Sequence, residues 1–148
     1  MTAFRFSLQR VLEWRAVQLR SEEEKLSGLQ QHLSALMIRD KELAAAVVKS
    51  ELELRARPSI PGSELSSLTG FRKRVQDQRR ALQQACARLE RDIDEQRKKL
   101  LKARQDHRVL EKLREKRHTE WVYLNDREIE NLAAEVYLAQ WTPPEDFS

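Results

Sequence analysis

The chain has 148 residues, a formal net charge of +4 and 35% charged residues, but only 3 glycines and 4 prolines. So few turn-forming residues exclude a globular domain with many loops and favour long helices. Aromatic residues make up 6% of the chain, so a large three-dimensional core is not expected.

Between Leu8 and Leu54 the apolar residues recur at alternating steps of four and three. This period of 3.5 residues is typical of the seam of a left-handed coiled coil. Ten of the fourteen seam positions are Leu or Val, and the others are Arg15, Glu22, Asp40 and Ser50. The pattern predicts a first helix over about residues 7–57.

The chain then reads Arg-Pro-Ser-Ile-Pro-Gly-Ser at 57–63, which cannot continue a helix. A turn is therefore predicted over 58–63, with Ser63 as the start of a second helix reaching about residue 141. The second seam runs from Leu65, loosens after Leu113 and continues on a neighbouring stripe. Pro143 and Pro144 end the helix, and residues 142–148 are expected to fray.

The predicted fold is all-α, a single domain forming a long antiparallel two-helix coiled-coil hairpin whose second helix is the longer. With a short turn, roughly 25 residues of that helix lie beyond the end of the first. Whether this overhang is straight, folded back or paired between molecules stays open. Its large apolar residues need a covering partner: Trp121, Tyr123, Leu124, Ile129, Leu132, Val136, Tyr137 and Trp141.

The charge is unevenly distributed along the second helix. Residues 96–118 hold ten Lys or Arg against three acids, whereas residues 119–148 hold one Arg against seven acids. No aromatic residue interrupts the basic block, so a nucleic-acid site is not favoured. Because the block adjoins an apolar overhang, it fits an acidic protein surface better.

The residues needed for chemistry are missing. The sequence has no phosphate-binding loop, its three histidines are scattered, and no nucleophile, base and orienting group converge. The single cysteine, Cys86, lies on the seam and is interpreted as a small buried apolar residue. We therefore expect no enzyme, no cofactor and no metal site. No membrane span or signal peptide is apparent, so a cytoplasmic location is expected.

Three segments resemble the FliJ family of the bacterial flagellar type III export apparatus. The first, Phe4 to Arg15, reads Phe-Arg-Phe-Ser-Leu-Gln-Arg-Val-Leu-Glu-Trp-Arg. The others are Leu68 to Val75, just after the turn, and Leu110 to Lys116. Near the C-terminus this chain departs from the family, because Asn131 to Glu135 stands where members often carry Leu-Asp-Glu.

The resemblance implies a hairpin similar to the central stalk of rotary ATPases, bound in the centre of the hexameric flagellar export ATPase. It also implies contacts with the export-gate membrane protein and with export chaperones, and hence peripheral association with the cytoplasmic face of the inner membrane. Phe71 and Val75 are the candidate gate-binding residues. The candidates for ATPase binding are Arg104, Arg108, Lys112, Arg114 and Trp121.

Several points stay open at the level of sequence. The system is either flagellar or a related injection-type secretion apparatus, and neither the stoichiometry nor the chaperone preference follows from the residues. The alternative function is a structural coiled-coil scaffold, or a protein that self-associates through its C-terminal overhang without a motor partner.

Overall fold

The computed structural model describes residues 2–141, and two helices account for most of them. The first helix, α1, spans Gln9–Arg55, and the second, α2, spans Gly62–Gln140. No strand occurs within residues 2–141. The prediction of an all-α hairpin with a longer second helix is confirmed. The predicted fraying of 142–148 concerns residues outside the described part of the chain.

Both ends of α1 are shaped by short backbone turns. The Gln9 amide donates to the Phe6 carbonyl over 3.1 Å, which forms a turn before the helix and delays its start to Gln9. At the other end, the Arg57 amide donates to the Leu54 carbonyl over 3.2 Å. This three-residue step tightens the last turn just before Pro58, since proline cannot continue the helix.

The second helix begins directly after Pro61. The Pro61 carbonyl accepts hydrogen bonds from the amides of Glu64 and Leu65, at 3.1 and 3.3 Å. Pro61 therefore holds the position that precedes the helix, and Ser63 lies inside the first turn. The Arg57 guanidinium forms an ion pair with the Glu64 carboxylate, which links the end of α1 to the start of α2.

The contacts between the two helices fall into two units. We call residues 19–103 the turn unit, and residues 2–18 with 104–141 the terminal unit. In the turn unit all the buried apolar residues occupy positions of the two predicted seams: Leu43, Val75, Leu89, Ile93 and Leu100. All fourteen positions of the first predicted seam, thirteen of them in α1, are buried or half-buried, so the 3.5-residue period identified the packed face.

Polar seam residues of the turn unit pair across the two helices. Arg79 Nε donates to Asp40 Oδ1 over 2.9 Å. This hydrogen bond, with the attraction between the charges, raises the pKa of the Arg79 guanidinium. Gln96, the one buried polar residue among those described, donates to the Glu22 carbonyl over 3.1 Å and to the Glu22 carboxylate. In these two cases a polar residue that interrupts the apolar seam of α1 thus pairs with a polar residue that interrupts the seam of α2.

The terminal unit has a similar polar contact between its helices, but the C-terminal part of α2 is not covered by other described residues. Arg15 Nη1 lies 3.2 Å from Asp106 Oδ2, and both side chains are about one-third exposed. Phe6 and Leu12 are buried. From residue 126 to residue 141 every side chain of α2 and of Trp141 is exposed.

The uncovered part of α2 starts later than the sequence suggested. Trp121 was assigned to the overhang, but it is half-buried, with its ring centroid 6.0 Å from that of Phe4. The reason is that the residues before α1 extend along α2 and cover it. The prediction failed because it counted only the residues inside the first helix as partners.

Adjacent leucines offer a direct test of the seam. Leu100 is 6% exposed and Leu101 is 56% exposed. Leu100→Ala should lower the free energy of unfolding by roughly 2–3 kcal/mol, because it leaves a cavity between the helices. Leu101→Ala should change it by less than about 0.5 kcal/mol. Urea titration followed by circular dichroism measures both, and equal losses would contradict the assigned seam.

A charge swap tests the polar pair of the turn unit. Asp40→Arg should lower the Tm, because two guanidinium groups then face each other at the seam. Adding Arg79→Asp should recover most of the loss by restoring an ion pair of the opposite orientation. The comparison is made by thermal melting of the two single variants and the double variant. A double variant that melts no higher than either single variant would show that the pair does not act as a unit.

Candidate functional site

Three of the candidate ATPase-binding residues form an exposed row on α2, which we call the basic row: Arg104, Arg108 and Lys112. A spacing of four residues puts them on one face of the helix, one turn apart. None of them forms an ion pair within residues 2–141. Nearby acids are engaged elsewhere, since Asp106 pairs with Arg15 and Glu111 lies 2.6 Å from His107 Nδ1. The basic row therefore presents its charges to solvent, where an acidic surface can bind them.

Arg114 does not belong to this row. It lies two residues beyond Lys112, about 200° around the helix axis. Its Nε donates to Gln9 Oε1 over 3.1 Å, and its guanidinium lies 5.7 Å from the centroid of the Phe4 ring. Arg114 is a candidate for ATPase binding by its charge, but its side chain contacts Gln9 and Phe4 instead of lying free beside the basic row.

The residues before α1 pack on α2 through aromatic contacts. We call residues 2–8 the N-terminal segment. The Phe4 ring meets the His118 ring edge-on, with centroids 4.9 Å apart. His118 in turn stacks on Trp121 at 6.1 Å. Such contacts add about 0.5–1.5 kcal/mol per pair beyond the burial of area.

A second set of contacts anchors the same segment. Arg117 Nη1 donates to Ser7 Oγ over 3.0 Å, and its guanidinium lies 5.8 Å from the Phe6 ring centroid. Sequence reasoning missed these roles of Phe4 and Phe6. The available signal was two aromatic residues just ahead of a helix, with His118 and Trp121 three residues apart on the facing helix.

The two candidate gate-binding residues lie in the turn unit with different exposure. Val75 is 4% exposed and packs in the seam, one helical turn before Arg79, which pairs with Asp40. Phe71 lies one turn earlier and is half-buried, beside a shallow groove that Leu54 and Leu68 also line. Phe71 can therefore touch a partner, whereas Val75 is too deeply buried between the helices to do so.

Between residues 2 and 141, no three His, Cys, Asp or Glu side chains come together as a metal site would require. Neither helix, over its described length, has a stretch long and apolar enough to cross a membrane. Cys86, the single cysteine of the chain, is half-buried. What the structure offers a ligand is helix surface: the basic row, the groove beside Phe71 and the exposed end of α2.

Comparison with known proteins gives one match. A model of the flagellar FliJ protein family matches residues 4–132. No curated protein and no solved structure matched the chain. The matched range includes the N-terminal segment, the turn and the basic row. With a match over most of its length, the chain belongs to the FliJ family, whose members are non-catalytic components of flagellar protein export.

Proposed function

We propose that this protein is a non-enzymatic component of the flagellar export apparatus that binds the centre of the hexameric export ATPase through its terminal unit. The observation that carries this proposal is the basic row. Arg104, Arg108 and Lys112 are exposed and free of ion pairs within residues 2–141. An ATPase lumen lined with acids would provide the complementary charge.

The remaining candidates for the ATPase contact have separate roles in this proposal. Trp121 keeps part of its surface exposed, but it lies about 180° around the helix axis from Lys112, so it would add an apolar contact to a different wall of the ATPase lumen. Arg114 acts indirectly, because it holds the N-terminal segment on α2 through Gln9 and Phe4. In this proposal the charges of the basic row supply most of the interaction with the ATPase, and Trp121 adds one aromatic contact.

We also propose that the turn unit contacts the export gate. Phe71 is the candidate side chain, since it is half-buried next to an open groove, whereas Val75 is buried in the seam. A gate contact would keep the protein at the cytoplasmic face of the inner membrane without a membrane span of its own. Binding of export chaperones is part of the same proposal and rests on the family alone.

Charge reversal of the basic row should weaken ATPase binding. In the triple variant Arg104→Glu, Arg108→Glu, Lys112→Glu, each lost contact is worth roughly 0.2–1 kcal/mol, and the new like charges add repulsion. We expect binding to weaken at least about tenfold. The measurements are a pull-down with the purified export ATPase, its hydrolysis rate and its oligomeric state.

A matched control keeps the change of charge but moves it to another face. Arg80, Arg88 and Arg91 are exposed and lie in the turn unit, so changing these three to Glu should leave ATPase binding intact. Circular dichroism checks that both triple variants stay helical. If the basic-row variant binds normally, or if wild-type protein leaves the ATPase unchanged at saturation, the scaffold alternative takes precedence.

The gate contact is tested with a second pair of variants. Phe71→Ala should weaken binding to the cytoplasmic part of the export-gate protein and spare ATPase binding, because it removes the aromatic side chain beside the groove. Leu65→Ala is the control, since Leu65 is also exposed near the start of α2. Surface plasmon resonance with the immobilised gate domain measures both. Equal affinity of the Phe71 variant and the wild type would remove Phe71 from the proposed contact.

A further inference from the structure

The exposed end of α2 carries an apolar stripe with the period of a coiled coil. Its positions alternate by three and four residues, and we call this set the C-terminal stripe: Val122, Asn125, Ile129, Leu132, Val136 and Ala139. The four large apolar members are between 36% and 55% exposed. A period of 3.5 residues is what a helix needs to pack along one other helix. The stripe extends for about 27 Å, two and a half heptads.

The charges that flank the stripe are all negative. Asp126, Glu128 and Glu135 occupy the positions that border a coiled-coil seam on its two sides, and all three are exposed. The one basic residue nearby, Arg127, lies on the opposite face of the helix. In coiled coils these flanking positions select the partner.

A second copy of this chain is a poor occupant. In neither a parallel nor an antiparallel pair would a second copy bring a basic residue to Asp126, Glu128 or Glu135, and a fully overlapping antiparallel pair would set Glu128 of each copy against Glu135 of the other. Like charges at such positions destabilise the pairing. The basic row cannot supply the missing positive partner from another copy, because the seam side of that segment is already covered, with Leu110 and Leu113 half-buried.

We propose that the C-terminal stripe is the docking site for one amphipathic helix of another protein, whose apolar seam is flanked by Lys or Arg. The N-terminal limit of the site is Trp121, where Phe4 already covers α2. Asn125 places a half-buried polar side chain within the seam. A polar residue at one such position fixes register and partner choice.

This surface is separate from the contacts proposed for the ATPase and the export gate. It shares no residue with the basic row or with Phe71, and it has the opposite charge. The family match ends at residue 132, so Glu135 and Val136 lie beyond it. A protein that fails to bind the ATPase could still bind a basic helix here, and the reverse also holds.

The experiment uses two synthetic peptides and the full chain. Both peptides have 21 residues and three identical apolar heptads with one Asn, but one carries Lys and the other Glu at the flanking positions. We expect the Lys peptide to bind at least about tenfold more tightly, and to bind more weakly in 0.5 M salt. Isothermal titration measures the affinities, and light scattering gives the oligomeric state of the protein alone.

Three variants locate the binding. Ile129→Asp with Leu132→Asp should abolish binding of the Lys peptide. The control is Tyr123→Asp with Leu138→Asp, which changes two equally exposed residues on the far side of the helix and should bind normally. Changing Asp126, Glu128 and Glu135 to Lys should reverse the preference, so that the Glu peptide binds more tightly.

Each other outcome overturns the proposal. Equal binding of the two peptides would show that the acidic flanks do not select a partner. Failure of both to bind would show that the stripe is not a helix-docking site. A dimer that disappears in the Ile129→Asp, Leu132→Asp variant would make the occupant a second copy.

Discussion

The register of the two helices depends on the polar residues within the apolar seam more than on the leucines around them. An antiparallel pair of Leu-rich helices has several registers that bury similar apolar area. In the turn unit, sliding α2 by one heptad would set Arg79 opposite Val47 or Leu33 and would leave Asp40 without its cation. These side chains are partly exposed, so the ion pair adds little net stability. Its effect is to make the alternative registers costly.

Within the terminal unit, the covered and uncovered surfaces follow from its own set of contacts. Arg15 lies beside Asp106, so Gln9 comes to Arg114 and Ser7 to Arg117. The N-terminal segment then reaches Trp121 through Phe4, whereas residues 126–141 are exposed. The boundary between covered and uncovered helix thus depends on the register within the terminal unit.

The sequence predicted the fold well because one turn and one period determine it. The seam positions, the break at Pro58 to Gly62 and the greater length of α2 all followed from spacing. The pairing of Asp40 with Arg79 and of Glu22 with Gln96 was not predicted, although both lie on interruptions of the two seams. Their pairing depends on the exact register, which shifts by several residues with the geometry of the turn.

The candidate site was predicted less completely, for a different reason. Arg104, Arg108, Lys112 and Arg114 look alike in a charge count, yet only three share a face. The fourth, Arg114, contacts Phe4. Phe4 lies outside both helices, so no helical period predicts which residue it contacts. The same counting treated Trp121 and Val136 alike, although an aromatic contact covers one and leaves the other exposed.

The change of charge along α2 has a consequence for how the terminal unit can bind two partners. Within this unit the basic row favours an acidic surface, whereas the C-terminal stripe is bordered by Asp126, Glu128 and Glu135 and favours a basic one. A ligand suited to one surface is repelled by the other, so the two sites do not compete for the same partner. Each can be occupied while the N-terminal segment, which contacts α2 between them, stays in place.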